Sequence, residues 1–246
     1  MLFLGNVGNN HKKIIETHNY RQNSYFLNNE YTRYDFLCKK YGRDTRRIDQ
    51  YKVFPKYCFR DPVKIDLIKN IDWSKQHQQR AGVIIYKEIN GQLVFGLGVD
   101  TDSNNLTDFG GGVTKKDINP INGGLREFVE ETLGVFGSFN EKEVGNCLVI
   151  YSEHMLIMFL HLDFDIDKST YLFKERLKHA KRPEIKELMW MTKNYLFSII
   201  EEQHDLLPST DIFTISKKSQ NPEMYGRVQI ILNSAISIYG DFTHKL

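Results

Sequence analysis

Gly82-Val83-Ile84-Ile85-Tyr86 is an apolar, β-branched run, and Leu93-Val94-Phe95-Gly96-Leu97-Gly98-Val99 is a second. Asn90-Gly91 between them is the strongest short hairpin signal a sequence offers, so the pattern predicts two antiparallel strands. Gly96 and Gly98 mark bends or a close backbone approach in the second strand. Cys147–Tyr151 and Met155–Leu160 predict another strand pair across Ser152-Glu153-His154. The period then changes. Leu172, Glu175, Arg176 and His179 fall at helical spacing and predict a helix over Tyr171–Ala180. Val228, Ile231, Leu232, Ala235, Ile238 and Tyr239 give Met224–Tyr239 a broad apolar stripe, expected to face a core. Asp205–Glu223, with Pro208 and Pro222, is polar and predicts loop.

Ahead of Ala81 the texture differs. Residues 1–79 read as a mostly helical or irregular N-terminal extension, and residues 80–246 as the folded domain. Tyr34, Leu37, Cys38 and Tyr41 predict a helix over Tyr31–Tyr41, and Asp66–Ile71 predicts a short helical turn. Between residues 20 and 60, aromatic rings are interleaved with Lys39, Lys40, Arg43, Arg46, Arg47, Lys52, Lys56 and Arg60. That mixture suits RNA, since cations meet phosphates and rings stack on bases. It equally suits a small aromatic core under solvated cations.

Composition narrows the picture. The chain has 246 residues, of which 41% are hydrophobic, enough to bury a proper core. A net charge of +2 gives no global argument for nucleic acid. Cys38, Cys58 and Cys147 are widely spaced and form no C-x-x-C pair, which implies reduced thiols in an intracellular, cytoplasmic setting, the nucleus remaining open. The first residues are too short for a signal peptide, and no run of about 18 apolar residues occurs, so no membrane span is expected. The sequence leaves monomer and homodimer equally open.

The chemistry concentrates in one stretch. Phe109-Gly110-Gly111-Gly112-Val113 predicts a glycine turn, and a short acidic helix follows. Asn119 can cap that helix, Pro120 suits its first position, and Gly134 can close it in a left-handed conformation. Glu127, Glu130 and Glu131 stand at i, i+3 and i+4, which places three carboxylates on one helical face. Like charges repel there and call for a cation, either Arg126 or a hard divalent ion with oxygen ligands. A solvated acidic face is the simpler reading. The glycines argue against it, because they mark a place where backbone comes close to something.

Glycines, Arg126-Glu127-Phe128-Val129-Glu130-Glu131 and Gly134-Val135 together resemble the Nudix box, G-x5-E-x7-R-E-U-x-E-E-x-G-U, in which U is bulky and apolar. Gly111 matches the opening glycine and puts Asp117 where the first glutamate belongs, with one extra residue before Arg126 and a second, Leu133, before Gly134. Anchoring on Gly112 instead restores the first spacing but puts Ile118 at the acidic position. Gly110, Gly111, Val113, Asp117 and Gly123 are similar to the pattern of the inosine-diphosphatase and snoRNA- or mRNA-decapping branch. The resemblance spans residues 80–200 and implies an α+β fold, an α/β/α sandwich with a mixed sheet between helices. It likens Glu184–Thr192 to the late strand of that fold, ahead of a helix capped by Thr192 and running near Tyr195–Glu202.

The same resemblance implies a hydrolase that opens a pyrophosphate bond. Glu127, Glu130 and Glu131 would ligate Mg2+ or Mn2+, with Glu127 alternatively the base, and the Gly111 carbonyl and Glu187 would complete the metal set. Arg126 would orient a glutamate, and Gly110, Gly111, Gly112 and Asp117 would meet the substrate. Tyr86, Phe95, Phe109 and Tyr151 are candidates to stack a base, whereas His154 and His161, in apolar strands, are expected to be core residues. Three functions follow: hydrolysis of a nucleotide or capped RNA 5′ end, with decapping favoured; hydrolysis of small free nucleotides such as nucleoside diphosphates, ADP-ribose or nucleotide sugars; or binding of a nucleotide or cap without turnover.

Overall fold

A computed structural model describes residues 63–201 and 223–246, within a compact unit that runs from Val63 to Leu246. The basic aromatic stretch 20–60, the expected helix Tyr31–Tyr41 and nearly all of the loop 205–223 lie outside the described residues.

The expected hairpin forms as β2 (Arg80–Ile89) and β3 (Gln92–Asp100), with Tyr86 opposite Phe95. Asn90 and Gly91 both take positive φ, 51° and 78°, the tight turn whose twist suits a hairpin. β4 (Leu106–Thr107) adds to β3, and β5 (Phe109–Gly112) pairs with the start of β2. β6 (Leu148–Tyr151) and β7 (Met155–His161) form the second pair, and β7 lies parallel to β2. β1 (Lys64–Leu67) borders β6, and β8 (Ile185–Thr192) borders β3. These strands make one mixed sheet of eight, in the order β1-β6-β7-β2-β3-β4, with β5 and β8 joined to β2 and β3.

Side-chain alternation gives the sheet two apolar faces. Ala81, Val83, Ile85 and Trp190 face α1 (Pro120–Glu131), through its Ile121, Leu125 and Phe128, and α2 (Ile166–Leu177), through Phe173. Ile84, Phe95, Leu97 and Met191 face the other way. There they meet Leu196 and Ile199 of α3 (Lys193–Ile200) and Val228, Ile231 and Leu232 of α4 (Gly226–Tyr239). The fold is therefore α+β, a mixed sheet between helices. No helix among the described residues is long and apolar enough to cross a membrane.

Several expectations are corrected. Phe109–Gly112 is a strand rather than a turn, because three residues without Cβ can lie flat against β2. A Cβ on Gly110 would stand 2.3 Å from the Gly82 Cα, which only glycine avoids. The sheet begins at Lys64, ahead of residue 80, and the helical turn expected over Asp66–Ile71 is present as a 3-10 turn at Ile68–Asn70, directly after the strand Lys64–Leu67. α2 starts at Ile166 because Asp165 caps it, accepting from the Lys168 N–H. Tyr86, Phe95 and Phe109 are buried in the two cores and are not free to stack a base; Tyr151 is half-buried, edge-on to Trp73. His161 is exposed at the end of β7 rather than inside, and His154 is half-buried.

Candidate functional site

α1 begins as its sequence dictates. The Asn119 side chain accepts from the Asn122 N–H, and Pro120 occupies the first position. Phe128 is fully buried, edge-on to Phe109 at 5.8 Å, and this contact turns one flank of α1 along β5. The helix ends at Glu131, and the inserted Leu133 lies beyond it in a left-handed conformation, φ 54°, followed by Gly134 at φ 66°. The extra residue is thus absorbed outside the helix and leaves the register of the glutamates undisturbed.

Arg126 stands at the centre of an ion-pair network. Its Nε donates to Asp117 at 3.0 Å, its Nη1 to Glu127 at 2.8 Å and to Glu130 at 3.3 Å, and its Nη2 to the Gly112 carbonyl at 3.0 Å. Asp117 also accepts from the Thr114 N–H and hydroxyl, so the loop between β5 and α1 is tied back to the helix. Ile118, the alternative at that position, is 88% exposed and takes no part. The Arg126 guanidinium beside it lowers the Asp117 carboxyl to about 2.

The three glutamates have separate surroundings. Glu127 lies against β5, and a Cβ on Gly111 would meet its Cδ at 2.6 Å. Burial raises the Glu127 carboxyl; Arg126 opposes that, and the charges of Glu130 and Glu184 add to it. Glu130 is 60% exposed. Glu131 is turned inward and accepts the Gly110 N–H at 2.7 Å. Burial, and then the charge of Asp108, push its carboxyl up to about 9, against the opposing pull of Arg80 and the Gly110 N–H.

Two features escaped the sequence. Glu184, just ahead of β8, is close enough for its charge to act on both Glu127 and Glu131. Glu187 does not join them. It pairs with Val99, whose side chain belongs to the opposite face, and cross-strand partners share a face. Its three-residue offset from Trp190 already implies this, because side chains alternate along the uninterrupted stretch of β8 between them; the register shift lies beyond, between Val99 and Asp100. The second feature is a buried ion pair behind β5, Arg80 with Asp108. The residues lie far apart in sequence and no motif joins them.

No group of three or more His, Cys, Asp and Glu side chains is arranged to hold a metal ion among the described residues. The expected cluster is opened by Glu131, which turns to β5, and by Arg126, which stands between Glu127 and Glu130. The donor chemistry nevertheless fits a hard cation: carboxylates and backbone carbonyls, with more negative charge than Arg126 alone answers. A cavity of about 420 Å³ lies elsewhere, lined by Leu93, Lys193, Asn194, Asp241 and His244. It contains none of the carboxylates of α1.

No family model matches the chain, and no curated protein matches it. Among solved structures, the chain is similar to a C. elegans Ap4A hydrolase binary complex, with 16% identity over 53% of this chain and 92% of that one, at a TM-score of 0.33. A second structure of C. elegans Ap4A hydrolase is 15% identical over 52% of this chain and 90% of that one, at a TM-score of 0.29.

Proposed function

We propose that this chain is a metal-dependent hydrolase of the Nudix superfamily that opens a pyrophosphate bond in a nucleotide or a capped RNA 5′ end. One observation carries the reading: Arg126 joins Asp117, Glu127 and Glu130 in one network, with Glu127 seated against Gly111. This arrangement supports the roles that the R-E-x-x-E-E resemblance implies for Arg126, Glu127 and Glu130. Arg126 fixes the Glu127 carboxylate by a charge-assisted hydrogen bond, and Asp117 keeps Arg126 from swinging into solvent.

Glu127, Glu130, Glu131 and the Gly111 carbonyl would hold Mg2+ or Mn2+, with Glu184 as a further acid beside them. When bound, the ion neutralises the phosphates and lowers the pKa of a coordinated water. Glu127, raised by burial, is suited to take a proton from the attacking water. Glu131 holds a proton at neutral pH and must release it to a cation. Of the β5 glycines, Gly112 has nothing within 4 Å of its Cβ position and leaves open backbone where a phosphate chain can approach.

The preference for an RNA end over a small free nucleotide rests on the basic aromatic composition of residues 20–60. Binding without turnover is the competing reading, and the open arrangement of the carboxylates favours it. Incubating the full chain with capped RNA, nucleoside diphosphates and ADP-ribose, in Mg2+ or Mn2+, with products identified by mass, separates the three. Hydrolysis of capped RNA alone supports decapping, and hydrolysis of the free nucleotides alone supports the small-substrate reading. Binding without products supports the third.

A further inference from the structure

Arg80 and Asp108 form a buried, two-pronged ion pair. Arg80 Nη1 donates to Asp108 Oδ2 at 2.8 Å, and Nη2 donates to Oδ1 at 2.6 Å. Asp108 is fully buried and Arg80 nearly so. Room for the carboxylate comes from Gly82, where a Cβ would stand 1.9 Å from Asp108 Oδ2. Burial alone would lower the Arg80 guanidinium, but Asp108 holds it above its ordinary value. Such a pair is a poor device for stability, since well-packed apolar residues in its place are often neutral or stabilising.

Apolar residues could not do what the second nitrogen of Arg80 does. Nη2 also donates to the Gly110 carbonyl at 2.9 Å. On the other side the Gly110 N–H donates to Glu131 Oε2 at 2.7 Å. The Gly110 residue is thereby gripped from both ends, by the sheet's ion pair through its carbonyl and by the helix through its amide. The grip runs unbroken: Asp108 to Arg80, Arg80 to Gly110, Gly110 to Glu131.

We infer that Arg80, braced by Asp108, is a positioning residue that fixes the Gly110 peptide and through it the direction of the Glu131 carboxylate. The inference rests on the proposed hydrolase for its effect on turnover, but not for its effect on the Gly110 amide. Arg80 touches no reacting atom. Its task is to keep β5 from sliding on β2 and carrying the Glu131 partner with it. Outer contacts of this kind change affinity or rate by about 10- to 100-fold when lost.

The test uses the full chain and two variants. Arg80→Lys keeps a cation opposite Asp108 but loses the fork that reaches the Gly110 carbonyl. The double variant Arg80→Met with Asp108→Leu removes both charges together, so that neither is left buried alone. The Gly110 amide proton is followed by NMR, where its short hydrogen bond to Glu131 Oε2 places it downfield and slows its exchange. In either folded variant this proton is expected to move upfield and to exchange at least about 10-fold faster. On whichever substrate of the panel the wild type cleaves, kcat is expected to fall about 10- to 100-fold with KM nearly unchanged. Arg80→Lys should retain more of both than the double variant. An unmoved Gly110 amide in both variants overturns the inference, as does wild-type kcat in the folded double variant. A wild type that cleaves nothing in the panel overturns the hydrolase reading alone, and the amide then decides the grip by itself.

Discussion

Arg126 does at the scale of one residue what the spacing of three glutamates demands. Without it, Glu127 and Glu130 face each other across one turn with nothing between. Its strongest partner is Asp117, whose carboxyl is held down at about 2 against an ordinary 3.8. A carboxyl lowered in the folded state contributes stability that is complete above its unfolded pKa and is lost as pH falls through the folded one. Asp117 is 5% exposed and Arg126 about a third exposed, so solvent weakens the pair. Asp117→Asn should therefore cost about 1–2 kcal/mol near pH 5–7, and progressively less as pH falls to about 2, where the folded carboxyl is half protonated. Denaturant unfolding across that range measures the difference; a gap of undiminished size at pH 2 would place the effect in packing instead.

Glu131 behaves in the opposite sense. Its carboxyl is raised from 4.5 to about 9, so the folded state keeps a proton that the unfolded chain releases. In metal-free protein this makes stability fall as pH rises between those values. Glu131→Gln should flatten that fall, seen in melting temperature against pH, while abolishing metal-dependent turnover. A melting temperature with the same pH slope in both proteins contradicts the protonated assignment.

Elements differ in how much of them the sequence discloses. α1 was legible because its cap, its first-turn proline and its glutamate spacing are all local. The hairpin was legible for the same reason, in Asn90-Gly91. β5 was not, since glycine carries no strand signal and the pairing is set by the neighbour, β2. β1 is four residues of mixed polarity at the sheet's edge, and only its pairing with β6 makes it a strand. Glu184 shows the same limit at the site, whereas the odd offset of Glu187 from Trp190 already sets those two side chains on opposite faces. The place of Glu184 follows the register shift between Val99 and Asp100, a tertiary property that no one-dimensional offset encodes.

The glycines of β5 offer a test at this scale. Gly110 abuts backbone, the Gly82 Cα and the Ala81 carbonyl, whereas Gly111 abuts the Glu127 side chain. Gly110→Ala should cost about 1–3 kcal/mol or more, because backbone cannot step aside. Gly111→Ala should keep most of its stability, because Glu127 can swing away, and should lose turnover for the same reason. Equal stability losses in the two variants, read by thermal unfolding, would contradict the division of roles.

At the scale of the whole molecule, the sheet separates two tasks. The face toward α3 and α4 is a closed apolar core, and the flank of the other face, where α1 runs along β5, carries the carboxylates. The compact unit from Val63 to Leu246 contains every residue of the candidate site. A chain beginning at Val63 should therefore fold and retain hydrolysis of short substrates. If the basic aromatic segment binds RNA, this shortened chain should lose affinity for long RNA, and the salt dependence of binding should flatten. Unchanged RNA affinity would favour a small free nucleotide as the substrate.

The central claim is that the carboxylates of α1 close on a divalent cation beside the glycine strand. Anomalous diffraction from crystals soaked in Mn2+ tests it most directly. The account predicts a manganese peak beside Glu127 and Glu130, close to the Gly111 carbonyl, with Arg126 withdrawn from Glu130 and still paired with Glu127 and Asp117. A map with no peak at that place in saturating manganese, with Arg126 still bound to Glu130, would contradict it.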